Sequence, residues 1–329
     1  MTYPIIEIDS DWILEQEHLG SKDKYWVKNE GHEVLKERDW LFKFPKARVK
    51  EDGDKRMSGH QLKLQEITGM HWSEKIAYEL TRELEILSPK VELAILNGNI
   101  GSITENFVNA EYTLYHGNQV LANANPEYAA DKTHHQNDHK MSTIMESVGD
   151  IFADRDAGEK AKQKFVDYLV FDALICNVDR HHENWGFLRK LTKEGDYYGS
   201  LAPSYDHASS LGRELIEKNE QDPNKKSFHS LLRDPKGIKH YVMVGHGPIY
   251  VEGTGKKGPS PIRLVQRCLE LDEFASYFKQ SLNRLERIDV KNCKAIIEKI
   301  PDEHMTPLAK DFAYQLLCVT LQLLNELRD

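Results

Sequence analysis

The stretch F-D-A-L-I-C-N-V-D-R-H-H-E-N-W-G-F-L, residues 171–188, holds the densest set of groups in the chain that could do chemistry. Asp179 and Asn184 stand five residues apart in a polar run that starts at Asn177, and Asp206 follows in A-P-S-Y-D-H-A-S. A carboxylate and an amide oxygen in one loop can supply an orienting base and a metal ligand. A second carboxylate on the next hairpin can clamp Mg²⁺ against phosphates, because that ion takes a few protein oxygens and fills its shell from phosphate and water. Phosphoryl transfer asks little covalent chemistry of the protein and depends on positioning and charge. Asp179, Asn184 and Asp206 fit that chemistry in this order. The plainer reading is a polar loop that happens to contain Asp and Asn, and it leaves the spacing to Asp206 unexplained.

The elements needed to position these groups are legible around them. Phe165, Leu169 and Ala173 form one i, i+4 stripe and Val166, Val170 and Leu174 the next, so a helix buried over a wide arc leads into the loop. The apolar run 185–188, a turn near 193–196 and a return leg at 197–201 predict a hairpin that delivers Asp206. Upstream, residues 5–8, 25–27 and 40–44 read as strands. A helix follows at 71–87, with Trp72, Ile76, Leu80 and Leu84 at helical spacing. Asn97-Gly98 predicts a tight turn between strands at 91–96 and 101–107. Residues 46–68 are charged and poorly periodic and read as an insertion. His134, His135 and His139 lie in a polar stretch without companion ligands at metal-site spacing, which predicts a solvated loop. Residues 213–259 read as loops, and helices follow at 262–268, 271–285, 290–300 and 308–327, broken by Pro301 and Pro307.

The motif N-x-D-R-H-x-x-N at 177–184, followed by Y-D-x-x-S at 205–209, resembles the catalytic and metal-binding motifs of the HipA-like kinases. The likeness is motif-specific at 41–45, 72–80 and 171–212. It implies an α+β, bilobal protein-kinase-like fold: a small β-rich lobe over 1–107 and a mainly helical lobe over 108–329. It also implies a short form without the extra N-terminal subdomain of the full-length proteins. ATP and Mg²⁺ would be required. Asp179 would orient and deprotonate a Ser or Thr hydroxyl on a protein substrate, with His181 ordering the loop and Arg180 structural. Asn184 and Asp206 would hold the metal. Lys43, in L-F-K-F-P, would contact phosphates and be held by Glu74. Gly20 and Ser21 would cover the nucleotide, and the backbone at Glu105 and Phe107 would meet adenine. The resemblance further suggests autophosphorylation, for which Ser58 is a candidate, and an antitoxin partner. The loop motif alone also admits a phosphoinositide or small-molecule acceptor. A reading of another class is a non-catalytic nucleotide-binding protein that acts by association.

Composition narrows the partners. The 329 residues carry a formal charge of −9, so no global basic field favours direct nucleic-acid binding or an anionic membrane. Four scattered cysteines match neither a disulfide framework nor a metal spacing, as expected of buried thiols in the cytoplasm. The first residues lack a basic region with an apolar run, so no signal peptide is expected.

Overall fold

The computed structural model describes residues 1–17, 23–48, 60–132, 136–218, 226–252 and 257–328. The first part is a six-stranded sheet of β1 (Ile5–Ile8), β2 (Ile13–Glu17), β3 (Lys24–Val27), β4 (Trp40–Lys43), β5 (Val91–Leu96) and β6 (Asn99–Glu105), in the order β1-β5-β6-β4-β3-β2. All its pairings are antiparallel except β1 with β5. Asn97 and Gly98 both take positive φ, 51° and 72°, the conformation that a two-residue turn between β5 and β6 demands. Alternation along β4 buries Trp40 and Phe42 in a core shared with Ile6, Val27 and Ile103, and turns Lys43 to the opposite face.

That opposite face is covered by α1 (Met70–Glu83). Ile76 and Leu80 are fully inaccessible, and each such side chain contributes about 1.5–3 kcal/mol by leaving water. These residues belong to the larger core, which α1 shares with the helices that follow. Gly69 N donates to the Arg213 carbonyl at 2.7 Å, and the Ser73 hydroxyl lies 2.8 Å from that of Ser210. The helix that lies against the sheet is therefore fastened to the second half of the chain.

That second half starts with β7 (Thr113–His116), α2 (Gly117–Ala124) and α3 (Met141–Asp150) and leads into α4 (Arg155–Ile175). Asp154 caps α4 by accepting from the amides of Asp156 and Ala157. From Phe165 onward every residue of α4 is buried, as its two adjacent apolar stripes predict. β8 (Gly186–Leu191) and β9 (Tyr197–Leu201) form the expected hairpin, with β7 on the far side of β8. α5 (Phe228–Arg233), α6 (Gly237–Val244), α7 (Pro261–Leu269), α8 (Asp272–Asn283), α9 (Val290–Glu298) and α10 (Pro307–Arg328) complete the fold. Among the described residues no helix is long and apolar enough to cross a membrane.

Three sequence expectations need correction. The strand β2 breaks no turn signal and is partly exposed, so its pattern is too weak to announce it. α5 and α6 occupy part of 213–259, where short helices of six and eight residues show too few turns for a clear period. His139 is not solvated: it is 1% exposed. Its Nδ1 bonds the Pro248 carbonyl at 3.0 Å and its Nε2 accepts from Trp185 Nε1 at 3.1 Å. Burial pushes its pKa down to about 3, so the ring is neutral. His134 and His135 lie outside the described residues.

Candidate active site

At the end of α4, Cys176 adopts a left-handed backbone with φ 55° and stops the helix. The chain then enters the polar loop. Asn177 Nδ2 donates back to Asp172 Oδ1 at 2.8 Å, and Asn177 Oδ1 accepts from Asp179 N at 3.2 Å. The Asp179 carbonyl accepts from His181 N at 2.8 Å and from Asn184 Nδ2 at 2.7 Å. The loop is thus knitted by its own amides. The Asp179 carboxylate accepts from the Ser209 hydroxyl at 3.0 Å, which fixes one of its oxygens. With Asn184 Nδ2 engaged, the amide oxygen of Asn184 meets no donor among the described residues.

Arg180 is the buried clip of this region. Its guanidinium makes a two-point contact with Asp172, at 2.7 and 2.8 Å, and donates to the carbonyls of Asn184 at 2.7 Å and Tyr205 at 3.1 Å. It also donates to Ser204 Oγ at 3.0 Å, and that hydroxyl lies 2.7 Å from His207 Nε2. Burial, with the Arg180 charge nearby, holds His207 well below its ordinary pKa. The neutral ring therefore accepts the Ser204 proton, and one arginine ties the 177–184 loop to the segment bearing Asp206. Asp172 was not among the sequence candidates. An acid inside two apolar stripes needs a buried cation, and Arg180 eight residues on was the available signal.

Asp206 has φ 55°, uncommon for a residue other than glycine, and its carboxylate stands 3.8 Å from Lys43 Nζ. Lys43 donates to Glu74 Oε1 at 2.9 Å. Burial alone would lower the Lys43 pKa, but Glu74 and Asp206 outweigh it and hold the ammonium above its ordinary value. Three distant segments, β4, α1 and the chain after β9, therefore meet at one charged cluster. Thr104 Oγ1, on β6, lies 3.4 Å from the same Glu74 oxygen.

At the 105–108 segment, Glu105 N donates to the Lys90 carbonyl at 2.8 Å and Asn106 N to the Asp39 carbonyl at 2.9 Å. Val108 N reaches Asn106 Oδ1 at 3.0 Å. Phe107 N has no acceptor among the described residues. The Phe107 ring stacks on Tyr205 with centroids 5.2 Å apart, one residue before Asp206. The Glu105 side chain instead pairs with Arg38 at 3.2 Å. Gly20, Ser21 and Ser58 lie outside the described residues. His181 sits in the loop with its Nδ1 accepting from Glu183 N at 3.2 Å.

The segment His116-Gly117-Asn118 buttresses this loop. His116 Nδ1 bonds the Glu183 carbonyl at 2.9 Å, while Gly117 N and Asn118 N donate to the carbonyls of Trp185 and His182. A Cβ on Gly117 would stand 2.2 Å from the Trp185 ring and 2.6 Å from the His182 carbonyl, so no larger residue fits.

Comparison with known proteins agrees with this architecture. No curated protein matches the chain. Among solved structures, the Helicobacter pylori proinflammatory kinase CtkA is similar over 99% of this chain and 97% of its own, at 17% identity and a TM-score of 0.71. The Shewanella oneidensis MR-1 toxin HipA, solved with HipB and operator DNA, is similar over 100% of this chain and 70% of its own, at 16% identity and a TM-score of 0.50. These likenesses establish a shared kinase-like fold, with a sheet-rich first part and a helical second part. The HipA-like C-terminal domain family matches residues 18–240 of the 329, and the chain belongs to that family.

Proposed function

We propose that the chain is an ATP- and Mg²⁺-dependent kinase that phosphorylates Ser or Thr hydroxyls of a protein. The observation that carries this reading is the meeting of Lys43, Glu74 and Asp206 beside a loop in which Asp179 and Asn184 are held rigidly. In this reading residues 1–107 cover the nucleotide and residues 108–329 carry the catalytic groups. The Phe107 N–H, which meets no acceptor among the described residues, offers adenine a hydrogen bond. Lys43 keeps N–H donors for the α- and β-phosphates while Glu74 fixes its direction. Asp179 takes the proton of the acceptor hydroxyl as the new O–P bond forms and the bond from Pγ to the β,γ-bridging oxygen breaks, its electron pair leaving with ADP. Ser209 holds the carboxylate during this step. His181 and Arg180 order the loop without touching the reacting atoms.

The donor set suits Mg²⁺. Asp206 presents a carboxylate and Asn184 an amide oxygen that meets no donor among the described residues, and a hard cation that keeps phosphate and water in its shell needs no fuller protein cage. When bound, the ion neutralises charge on the phosphate oxygens. By analogy with the HipA neighbour, an antitoxin partner belongs to this reading; co-purification with the product of an adjacent gene tests it.

The kinase test is incubation of wild type and Asp179→Asn with Mg²⁺ and γ-labelled ATP, followed by intact mass and phosphosite mapping. Removing the base should lower incorporation by about 10²–10⁴-fold. Equal labelling of both proteins would sink the role of Asp179. A wild type that binds no ATP would sink the kinase reading. ATP binding without protein labelling would shift the acceptor to a lipid or small molecule.

A further inference from the structure

Next to the loop bearing Asp179 lies a second cavity, a cleft of about 690 Å³ between the end of α6 and the side of α7. Among the described residues its charged walls are Lys257, Arg263 and Arg267, with Glu270 the single acid. Arg267 holds Glu270 at 2.9 Å, whereas neither Lys257 nor Arg263 meets a carboxylate among the described residues. A local excess of cations in a chain of net charge −9 needs an explanation.

The cleft is anchored to the catalytic loop. A Cβ on Gly245, in its wall, would stand 3.5 Å from Val178 Cγ1, and Val178 precedes Asp179. Gly247 N donates to the Pro259 carbonyl at 2.8 Å, joining the two sides of the wall. The same strap is tied to His139 twice, through Tyr250 N to the His139 carbonyl at 2.9 Å and through His139 Nδ1 to the Pro248 carbonyl. His139 in turn receives the Trp185 indole N–H, one residue after Asn184. Cleft and loop therefore form one fixed body.

We propose that this cleft binds an acidic peptide segment, the one that flanks the acceptor hydroxyl, so that the protein selects Ser or Thr near Asp or Glu. The proposal rests on the kinase reading for the word acceptor, and on the cleft alone for the acidic peptide. Guanidinium groups match carboxylates in geometry as well as charge. Among the described residues no Phe, Tyr or Trp lines the cleft to stack a base, and three cations there on an acidic protein are few for a nucleic acid.

The test uses fluorescein-labelled peptides with one central Ser flanked by Glu or, in the control, by Lys. Fluorescence anisotropy is measured with wild type and with Lys257→Glu/Arg263→Glu, both residues being exposed and outside the proposed catalytic machinery. Two charge-assisted contacts should make the Glu-flanked peptide bind wild type at least about tenfold more tightly. The double variant should lose that preference, raise KM for the Glu-flanked peptide and keep kcat and ATP turnover. Equal binding of the two peptides, or a preference that survives charge reversal, overturns the proposal. So does charge-dependent binding of phosphoinositide vesicles or an oligonucleotide in place of the peptide. Charge-dependent binding of the Glu-flanked peptide with no phosphate incorporated into any acceptor keeps the acidic-peptide site and overturns the kinase reading instead.

Discussion

Two inward lysines, Lys75 of α1 and Lys43 of β4, have different surroundings. Lys75 Nζ, buried where α1 meets β5, donates to Glu79 at 2.7 Å, Glu92 at 2.8 Å and the Val91 carbonyl at 2.9 Å, with the Tyr3 ring 4.5 Å away. All three of its N–H groups are satisfied. At the cluster with Glu74 and Asp206, Lys43 makes one hydrogen bond among the described residues, to Glu74, and faces Asp206 at 3.8 Å. The first lysine is complete as the protein stands and serves packing. The second has one donor bonded among the described residues, and the proposed phosphate contacts would use the others. An inward lysine therefore marks a binding site only when its donors outnumber its protein acceptors.

The contrast breaks if the two lysines respond alike to substitution. Lys75→Met leaves two carboxylates facing each other in a packed junction and should cost about 3–5 kcal/mol in urea-unfolding stability. Nucleotide affinity per folded molecule should stay the same. Lys43→Met should act the other way, lowering phosphoryl transfer by about 10²–10³-fold, the scale seen on removing one charge-stabilising donor. Its chain should still unfold in a single cooperative transition. A Lys75→Met protein of normal stability, or a Lys43→Met protein of normal rate, would erase the distinction.

Ser209→Ala sharpens it within the site. Removing the hydroxyl that steers the Asp179 carboxylate should lower kcat by about tenfold and leave KM for ATP unchanged. The smallest effect separates buried groups that stay charged from those that stay neutral. Burial pushes His71 and His139 down to about 3 and His304 down to about 4. Between those values and the ordinary histidine pKa near 6.5 the unfolded chain binds more protons, so stability is full above that value and declines as pH falls below it. The urea midpoint should be flat above about pH 7 and fall progressively toward about pH 4.5, and His139→Gln should lessen the slope. Lys43 titrates above this window and contributes nothing to that slope.

Much of the site is readable along the chain because its groups are close in sequence or set by period. The stripes of α4, the stop at Asn177 and the hairpin to Asp206 all follow from local patterns. Lys43 lies beside two apolar residues whose alternation gives its side but not its partner. Asp172 inside α4 hints at Arg180, whereas nothing local announces that Arg180 also bonds the Tyr205 carbonyl. His139 misleads, since a polar sequence neighbourhood suggested water and the fold placed Trp185 and Pro248 against it.

The sequence by itself determined the strands of the first sheet other than β2, the buried approach helix and the 177–184 loop, because hydrophobic period and turn chemistry act over a few residues. The tertiary structure alone decided which lysine has all its donors satisfied, which histidines lose their charge and where the basic cleft lies. Each of those depends on groups up to hundreds of residues apart, as His71 meeting the His304 carbonyl at 2.9 Å illustrates. Contacts at that separation are set by the packing of whole elements, which no local period encodes.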